Sequence, residues 1–302
     1  MKTNLIFNPL ISIIINCHNG EKYLHEALKS ILKQTYKKWE VIFWDNKSKD
    51  KSKEIFKLYK DKRFKYFYSK KFTSLYKARN LAIKKSKGEL ISFLDVDDTW
   101  LPKKLSQQVS LFKDDKIGVV YSNLYILDQK NNKKKIFSNK LLPSGKITSE
   151  IIRNYKVSIL TVLIKKKILN TYNLKFNNLY NIIGDFDLMF KLSQKTSFKY
   201  LNKPTGTYRV HDNNLTLKKY NLGIEEQERW VKEQKKKKFF TFKNEIKYIE
   251  LEIKYKKIKL SIYRGEFLLS LKSILLFPLG INKFKLLIFL LFVPRKMLNI
   301  KI

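Results

Sequence analysis

The sequence predicts an α/β fold built on a mostly parallel sheet flanked by helices, followed by a helical extension. Three observations carry that expectation. Strand-like and helix-like segments alternate from residue 11 to about 114. The first strand segment, ISIIINC, is apolar without interruption, as a strand buried on both faces must be. From about 224 the chain turns Lys-rich, with apolar residues at helical spacing. These place a sheet domain over 1–222 and a helical extension over 223–302.

The leader MKTNLIFNPL has Asn8 and Pro9 inside its apolar stretch and no small-residue cleavage site after it, so it reads as a lead into the first strand. ISIIINC (11–17) is that strand. Asn19-Gly20 opens a helix with Leu24, Leu28, Ile31 and Leu32 on its apolar face. EVIFWD (40–45) is the second strand, DKSKEIFKLYK a helix with Asp50 as candidate N-cap, and FKYFY (64–68) a third strand. SLYKARNLAIKKSKG is a helix that turns Leu75, Ala78, Leu81 and Ala82 inward and is closed by Gly88 at the capping position. ELISFLD (89–95) is the fourth strand, and Pro102 opens the helix after it.

Beyond 114 the alternation loosens. GVVYSNLYIL and the turn-rich QKNNKKK predict an antiparallel excursion, and VSILTVLI (157–164) another strand. GDFDLMFKLSQK reads as a helix burying Leu188, Met189 and Leu192, and FKYL and TYRVH as two short closing strands. In the extension, Ile246, Ile249 and Ile253 repeat at helical spacing. Two apolar runs follow, ILLFPLGI (274–281) and LLIFLLFVP (286–294), both shorter than the roughly 20 residues that span a bilayer. With Lys283, Lys285, Arg295 and Lys296 around them, they predict a segment lying in the interface of an anionic membrane.

The charge balance narrows the function classes. The chain carries a net charge of +38, yet only seven of its 64 basic residues are arginine. Lysine lacks the planar fork that reads base edges, so the excess argues against sequence-specific nucleic-acid binding; it fits first a codon bias that spreads lysine over every solvated face, and second attraction to an anionic membrane surface. Cys17 is the one cysteine and can form no intrachain disulfide, which fits a reducing compartment. The expected location is cytoplasmic, peripheral at the inner face of the cell membrane.

If the first four strands are parallel, their carboxyl ends share one rim, where open sheets bind ligands. Three polar clusters fall there: His18 and Asn19, Asp45 and Asn46, and the group Asp95, Asp97 and Asp98. Three carboxylates so close repel one another, and a cation or basic partners relieve that repulsion. Two Asp around one residue suit Mg or Mn, which keeps waters and binds substrate phosphates. Between 11 and 31 the only glycine is Gly20, so neither G-x-G-x-x-G nor a P-loop is present.

The stretch ISIIINCHNGEKYLHEALKSILKQTYKKWEVIFWDNKSKD, followed by ARNLAIKKSKGELISFLDVDDTWLPKKL, resembles the inverting family 2 glycosyltransferases of the GT-A, nucleotide-diphospho-sugar transferase fold. The likeness continues through GDFDLMFKL and TYRVHDNNLT to about 216. It implies transfer of one sugar from a nucleotide-sugar donor, a UDP-sugar, to a glycan or lipid-linked glycan acceptor of the cell envelope. It assigns Asp97 to a divalent metal (Mn or Mg), with Asp98 and His211 as further metal candidates. It gives Asp95 to the nucleotide ribose or diphosphate, and sets Arg209 near the diphosphate. His18, Asn19, Glu21, Asp45, Asn46 and Arg79 fall to the nucleotide, and Asp185 becomes the catalytic base, with Asp187 in reserve. The chain departs from the family pattern where Asn16-Cys17-His18-Asn19 replaces Pro-x-Tyr-Asn, where Asp45-Asn46 replaces a paired Asp, and where Gly184 replaces the Glu of an acidic pair. A nucleotidyltransferase of the same fold would need a Gly-rich basic loop after the first strand, which is missing. A basic binding module would leave the acids purely structural.

Overall fold

Strand β1 (Ile11–Cys17) is enclosed on both faces, with Ile11, Ile13, Ile14, Ile15 and Cys17 each 1 % exposed or less. A computed structural model, which describes residues 7–238 and 241–292, surrounds this strand with a single sheet. The chain divides into two compact units, one ending at His211 and one beginning at Asp212.

In the first unit the alternation runs β1, α1 (Glu21–Leu32), β2 (Trp39–Asp45), α2 (Ser52–Lys57), β3 (Phe64–Tyr68), α3 (Leu75–Lys85) and β4 (Leu90–Phe93). β1 pairs in parallel with β2 and β4, and β2 with β3, so the predicted parallel block forms. Cys17 stands opposite Asp45, which brings the ends of β1 and β2 to one level. Then come β5 (Thr99–Trp100), α4 (Lys104–Val109), β6 (Ile117–Asp128), β7 (Lys133–Ile136), α5 (Thr148–Arg153), β8 (Leu163–Lys165), α6 (Lys166–Thr171), α7 (Gly184–Ser193) and β9 (Ser197–Val210). The strand order is β3-β2-β1-β4-β8-β6-β9-β5, with β7 paired to β6. β8 enters antiparallel between β4 and β6, and β5 lies antiparallel on β9.

Several local expectations are corrected. Leu32 is 36 % exposed and leaves the α1 stripe, which is Leu24, Ala27, Leu28 and Ile31. Helix α3 ends at Lys85, with Ser86 and not Gly88 at the capping position, and its inward face carries Tyr76 and Arg79 beside Ala78 and Ala82. Gly88 instead permits a close approach to β1, where a Cβ would lie 2.5 Å from the Ser12 nitrogen, while its own N–H donates to Ser12 Oγ at 2.8 Å. That hydroxyl in turn donates to Glu40 Oε1 at 2.6 Å, tying three strands at their amino ends. Pro102 sits in the turn before α4. Over 157–164, residues Ile159–Thr161 form a 3-10 turn and only Leu163–Lys165 is strand, because Thr161 and Val162 carbonyls are claimed by Gln108 and Ser92 side chains. FKYL and TYRV belong to one strand, β9, with His211 directly after it, and the strand follows β6 in parallel through register shifts near Asn123 and Pro204. A proline cannot donate to a ladder, so an irregularity there is the physical consequence.

The second unit holds α8 (Leu215–Lys218), α9 (Tyr220–Lys235), α10 (Lys243–Arg264), α11 (Phe267–Leu275) and α12 (Ile281–Phe292). Ion pairs Lys257–Glu228 and Lys235–Glu250 link α9 with α10. Helix α10 stops at Gly265, whose φ of 81° is the left-handed conformation that glycine takes without strain. Ile258 and Ile262 of α10 then pack with Ile274, Phe277 and Leu286. Leu268 of α11 is 80 % exposed, Leu276, Leu279 and Ile281 of the first apolar run 79 %, 87 % and 73 %, and Leu291 and Phe292 of the second 57 % and 76 %, so both runs keep an uncovered face. Among the described residues no helix is long and apolar enough to cross a membrane. The end of the second run, with Arg295 and Lys296, lies outside the described residues.

The Gly88 contact yields a test of the fold. Gly88→Ala forces a methyl into backbone on the adjoining strand and lowers stability by about 1–3 kcal/mol. Urea unfolding followed by circular dichroism measures it, and an unchanged midpoint would contradict the packing described.

Candidate active site

The rim at the ends of β1 and β2 is held by side chains that satisfy its own loops. Asn19 adopts a left-handed conformation (φ 55°), which an Asn tolerates better than most residues, and Lys47 does likewise (φ 65°). Asn19 Oδ1 accepts the Lys49 N–H at 2.8 Å, and the Asn19 N–H donates to Ser48 Oγ at 3.0 Å. Glu21 Oε2 accepts the Lys51 N–H while Asp50 Oδ2 accepts the Glu21 N–H, so the starts of α1 and α2 brace each other. Asp50 Oδ1 also accepts the Ser52 N–H at 3.0 Å, but the residue at the N-cap of α2 is Lys51, so Asp50 stands one place before the cap position expected of it.

Asp45 is 1 % exposed; its oxygens accept from the Ser48 N–H at 2.7 Å and the Tyr66 hydroxyl at 2.6 Å. Burial and that contact push the Tyr66 phenol far above its ordinary range. Asn46 is also buried and clasps Thr73, donating to its carbonyl and accepting its N–H. His18 stands out from this framework. Its Nδ1–H donates to the Asn46 carbonyl at 3.0 Å, and its ring lies 4.6 Å from that of Phe72. His18, Asn19, Lys47, Lys49 and Phe72 line an open cleft of about 380 Å³, with a ring pair and two ammonium groups on its walls.

The acidic turn follows β4 directly. The Asp98 N–H closes it on the Asp95 carbonyl at 3.1 Å, and its three carboxylates separate. Asp95 Oδ1 accepts from Arg79 at 2.6 Å. Asp97 Oδ2 lies 3.1 Å from His211 Nε2. Asp98 turns into the protein, 2 % exposed, where Oδ1 accepts the Arg209 N–H at 2.9 Å. Arg209 knits the turn to β9: its Nε donates to the Asp97 carbonyl at 3.0 Å, and its terminal nitrogens reach Gln129 and Glu26. Tyr23 lies under both Arg209 and His211, at 4.5 and 5.1 Å. The register shifts of β9 thus end by delivering Arg209 and His211 to the acids of β4.

Burial first, and then the neighbouring acids, raise the carboxyl pKa of Asp97 and push that of Asp98 well up. A cation at the turn would offset both effects. Among the described residues no group of three or more His, Cys, Asp or Glu is gathered as a cage. The Asp97 and His211 pair supplies one carboxylate and one imidazole, a partial donor set that suits an ion completed by waters and substrate phosphate oxygens.

Asp185 lies in the first turn of α7, where Oδ1 accepts the Phe186 N–H at 2.9 Å. The Tyr76 hydroxyl donates chiefly to the Ile182 carbonyl at 2.7 Å and reaches Asp185 Oδ1 at 3.3 Å. Burial raises the Asp185 pKa, and the nearby Arg79 guanidinium partly offsets the rise. Arg79 itself is 3 % exposed and is ringed by Tyr76, Phe93 and Phe176 at 5.6 to 5.9 Å. Asp187 is tied to Lys191 one turn along α7 and is buried. Gly184 explains its own departure from the family pattern: a Cβ there would lie 2.5 Å from the Tyr76 ring. Hydrophobic periodicity passed over Tyr76, Tyr23, Glu26 and Gln129. Tyr76 was findable, because it precedes Arg79 by three residues and so shares its helix face.

A parallel block with a cleft at the ends of β1 and β2, an acidic turn after β4, and a returning strand bringing Arg and His to that turn is the arrangement that the resemblance to the GT-A glycosyltransferases implies. The family model "Glycosyl transferase family 2" matches residues 12–191, and the chain belongs to that family. A glycosyltransferase of Rickettsia typhi is 34% identical over 229 residues, covering 72% of this chain and 68% of that protein. The Escherichia coli UDP-Glc:alpha-D-GlcNAc-diphosphoundecaprenol beta-1,3-glucosyltransferase WfgD is 30% identical over 167 residues, covering 55% of this chain and 64% of that one. Among solved structures, Staphylococcus aureus TarS 1-349 in complex with UDP-GlcNAc has a TM-score of 0.65 at 18% identity, covering 89% of this chain and 81% of that one. The mannosyltransferase PcManGT of Pyrobaculum calidifontis, in complex with GDP-Man and Mn2+, has a TM-score of 0.65 at 15% identity, covering 93% and 79%. At those identities the structures support the fold alone.

Proposed function

We propose that this glycosyltransferase moves one sugar from a UDP-sugar to a hydroxyl of a lipid-linked or cell-envelope glycan, with inversion at the anomeric carbon. The observation that carries the reading is the position of Arg79: its guanidinium pairs with Asp95 of the acidic turn and lies in the field of Asp185 on a separate helix. One buried cation therefore links the two acids to which the reading gives donor and acceptor duties. The named activity of the E. coli relative, a UDP-glucose-dependent transfer to a diphosphoundecaprenol-linked sugar, supports the choice of donor and acceptor class.

In this mechanism the nucleotide lies across the ends of β1 and β2, in the cleft of His18, Asn19, Lys47, Lys49 and Phe72. Asp45, Asn46 and Glu21 shape that cleft by holding its loops. Asp95 contacts the ribose or diphosphate. Arg209 fixes the turn through Asp97 and Asp98 beside the diphosphate. Asp97 and His211 would hold a divalent ion, Mn or Mg, with Asp98 behind them; when bound, it supplies positive charge against the leaving diphosphate. Asp185 takes the proton of the acceptor hydroxyl as the new bond forms, on the face opposite the leaving group. Its raised pKa makes it a stronger base than an ordinary Asp, and keeps it ionised only above that raised value.

The uncovered face of α11 and α12, with Lys272, Lys283 and Lys285 along it, supports a membrane role. It would lie in the interface of the anionic cytoplasmic leaflet and bring the enzyme to lipid-linked acceptors.

Asp185→Asn should retain UDP affinity while kcat falls roughly 100-fold or more. In the wild type, activity should fall as pH drops through an acid limb lying above the ordinary Asp range of about 4. Near-normal turnover of the variant would remove the base assignment. Calorimetry should show UDP binding strengthened by Mn2+ in the wild type and not in Asp97→Ala; equal affinity with Mn2+ and with EDTA would remove the metal. The full chain should float with vesicles containing phosphatidylglycerol, and less so when Leu268, Leu276 and Leu279 are changed to Ser. Equal flotation of both proteins would overturn the membrane reading.

A further inference from the structure

Helix α1 carries an acid that the mechanism leaves unused. Tyr23 and Glu26 stand three residues apart on one face of it and meet the same guanidinium. The Tyr23 ring lies 4.5 Å from the Arg209 guanidinium carbon, and Glu26 Oε2 accepts from Arg209 Nη2 at 2.5 Å. The pair straddles the surface: the Arg209 side chain is 9 % exposed and that of Glu26 57 %, so solutes reach it from the Glu26 side. The inner edge of Arg209 holds the acidic turn, with Nε donating to the Asp97 carbonyl at 3.0 Å and the backbone N–H to Asp98 Oδ1 at 2.9 Å. Asp97 Oδ2 in turn lies 3.1 Å from His211 Nε2. Glu26 is therefore one guanidinium away from the turn that would hold the divalent ion.

An arginine beside a diphosphate site has an obvious alternative use. Its planar fork binds phosphate oxygens in pairs and needs no metal to do so. Here the outer nitrogen of that fork already carries a carboxylate, which a diphosphate must displace. Charge sharpens the competition. With Asp97 and Asp98 ionised, the turn sets the carboxylates of Asp95, Asp97, Asp98 and Glu26 against the guanidiniums of Arg79 and Arg209. The excess is negative and repels a diphosphate, and a divalent cation removes it. Without the Glu26 charge the balance moves toward the anion, and Arg209 loses the carboxylate that competes with it.

We propose that Glu26 is a positioning residue that withholds Arg209 from the donor diphosphate, keeps it on the acidic turn, and so makes nucleotide binding depend on the divalent ion. The proposal rests on the reading of Asp97 and His211 as holders of that ion, and deepens it by naming the residue that closes the metal-free route to the donor.

The test is calorimetry on the full chain with UDP and with inorganic pyrophosphate, each in EDTA and in Mn2+. Glu26→Gln keeps a hydrogen-bonding side chain but no charge. In EDTA it should bind both probes roughly 5- to 10-fold more tightly than the wild type, and Mn2+ should strengthen its binding by a correspondingly smaller factor. Glu26→Asp, which keeps the charge, should return the EDTA affinities toward those of the wild type. A merely structural pair predicts the opposite sign, weaker binding in either medium. Unchanged or weaker binding by Glu26→Gln in EDTA, no binding there by either protein, an equal gain in Glu26→Asp, or loss of the folded circular dichroism spectrum in Glu26→Gln would each overturn the proposal. If Mn2+ leaves the wild-type affinity for UDP unchanged, the metal reading fails, while the EDTA series alone still decides whether Glu26 withholds Arg209.

Discussion

A guanidinium almost wholly withdrawn from water is the constraint around which this site is arranged. Arg79 cannot shed its proton, so burial obliges the fold to supply negative charge and π surface to it. Asp95 answers directly at 2.6 Å, Asp185 through the field, and three aromatic rings close the remainder. Removing one partner of such a pair generally costs more than the pair contributes, because the other is left buried and uncompensated. The arrangement thus couples the acidic turn after β4 to the helix that carries the proposed base.

The second organising feature is the common level at which the parallel strands end. Because β1 and β2 are in register up to Cys17 and Asp45, the loops leaving them meet, and their N–H groups are satisfied by one another's side chains. Rigid loops of this kind expose few polar groups of their own, which leaves the His18 and Phe72 rings and two lysines facing the cleft. On the other side of the sheet, β9 drifts in register along β6 and so reaches the acidic turn with Arg209 and His211.

The parallel block was legible in the sequence because uninterrupted apolar runs such as ISIIINC have one stable environment, the middle of a sheet covered on both faces. The acids on the rim were legible for a related reason: polar residues directly after such runs must lie at strand ends. What escaped were roles set by contacts distant in the chain. Gly88 looked like a helix cap, yet its neighbour is Ser12, and no local pattern encodes that approach. A periodicity of apolar residues sees α3 through its alanines and passes over Tyr76 and Arg79, since burial of that charge depends on an acid, Asp95, 16 residues away. The two strands expected over FKYL and TYRVH are one because β6 carries β9 across its irregularity, a pairing that the turn-prone Asn-Lys-Pro between them conceals.

Gly184 and Tyr76 share one volume, since a Cβ on the first would sit 2.5 Å from the ring of the second. The two positions are therefore coupled by volume. A carboxylate restored at 184 would need the ring at 76 to move or to be replaced by a smaller side chain, so the second acid can be regained only together with a change across the helix pair.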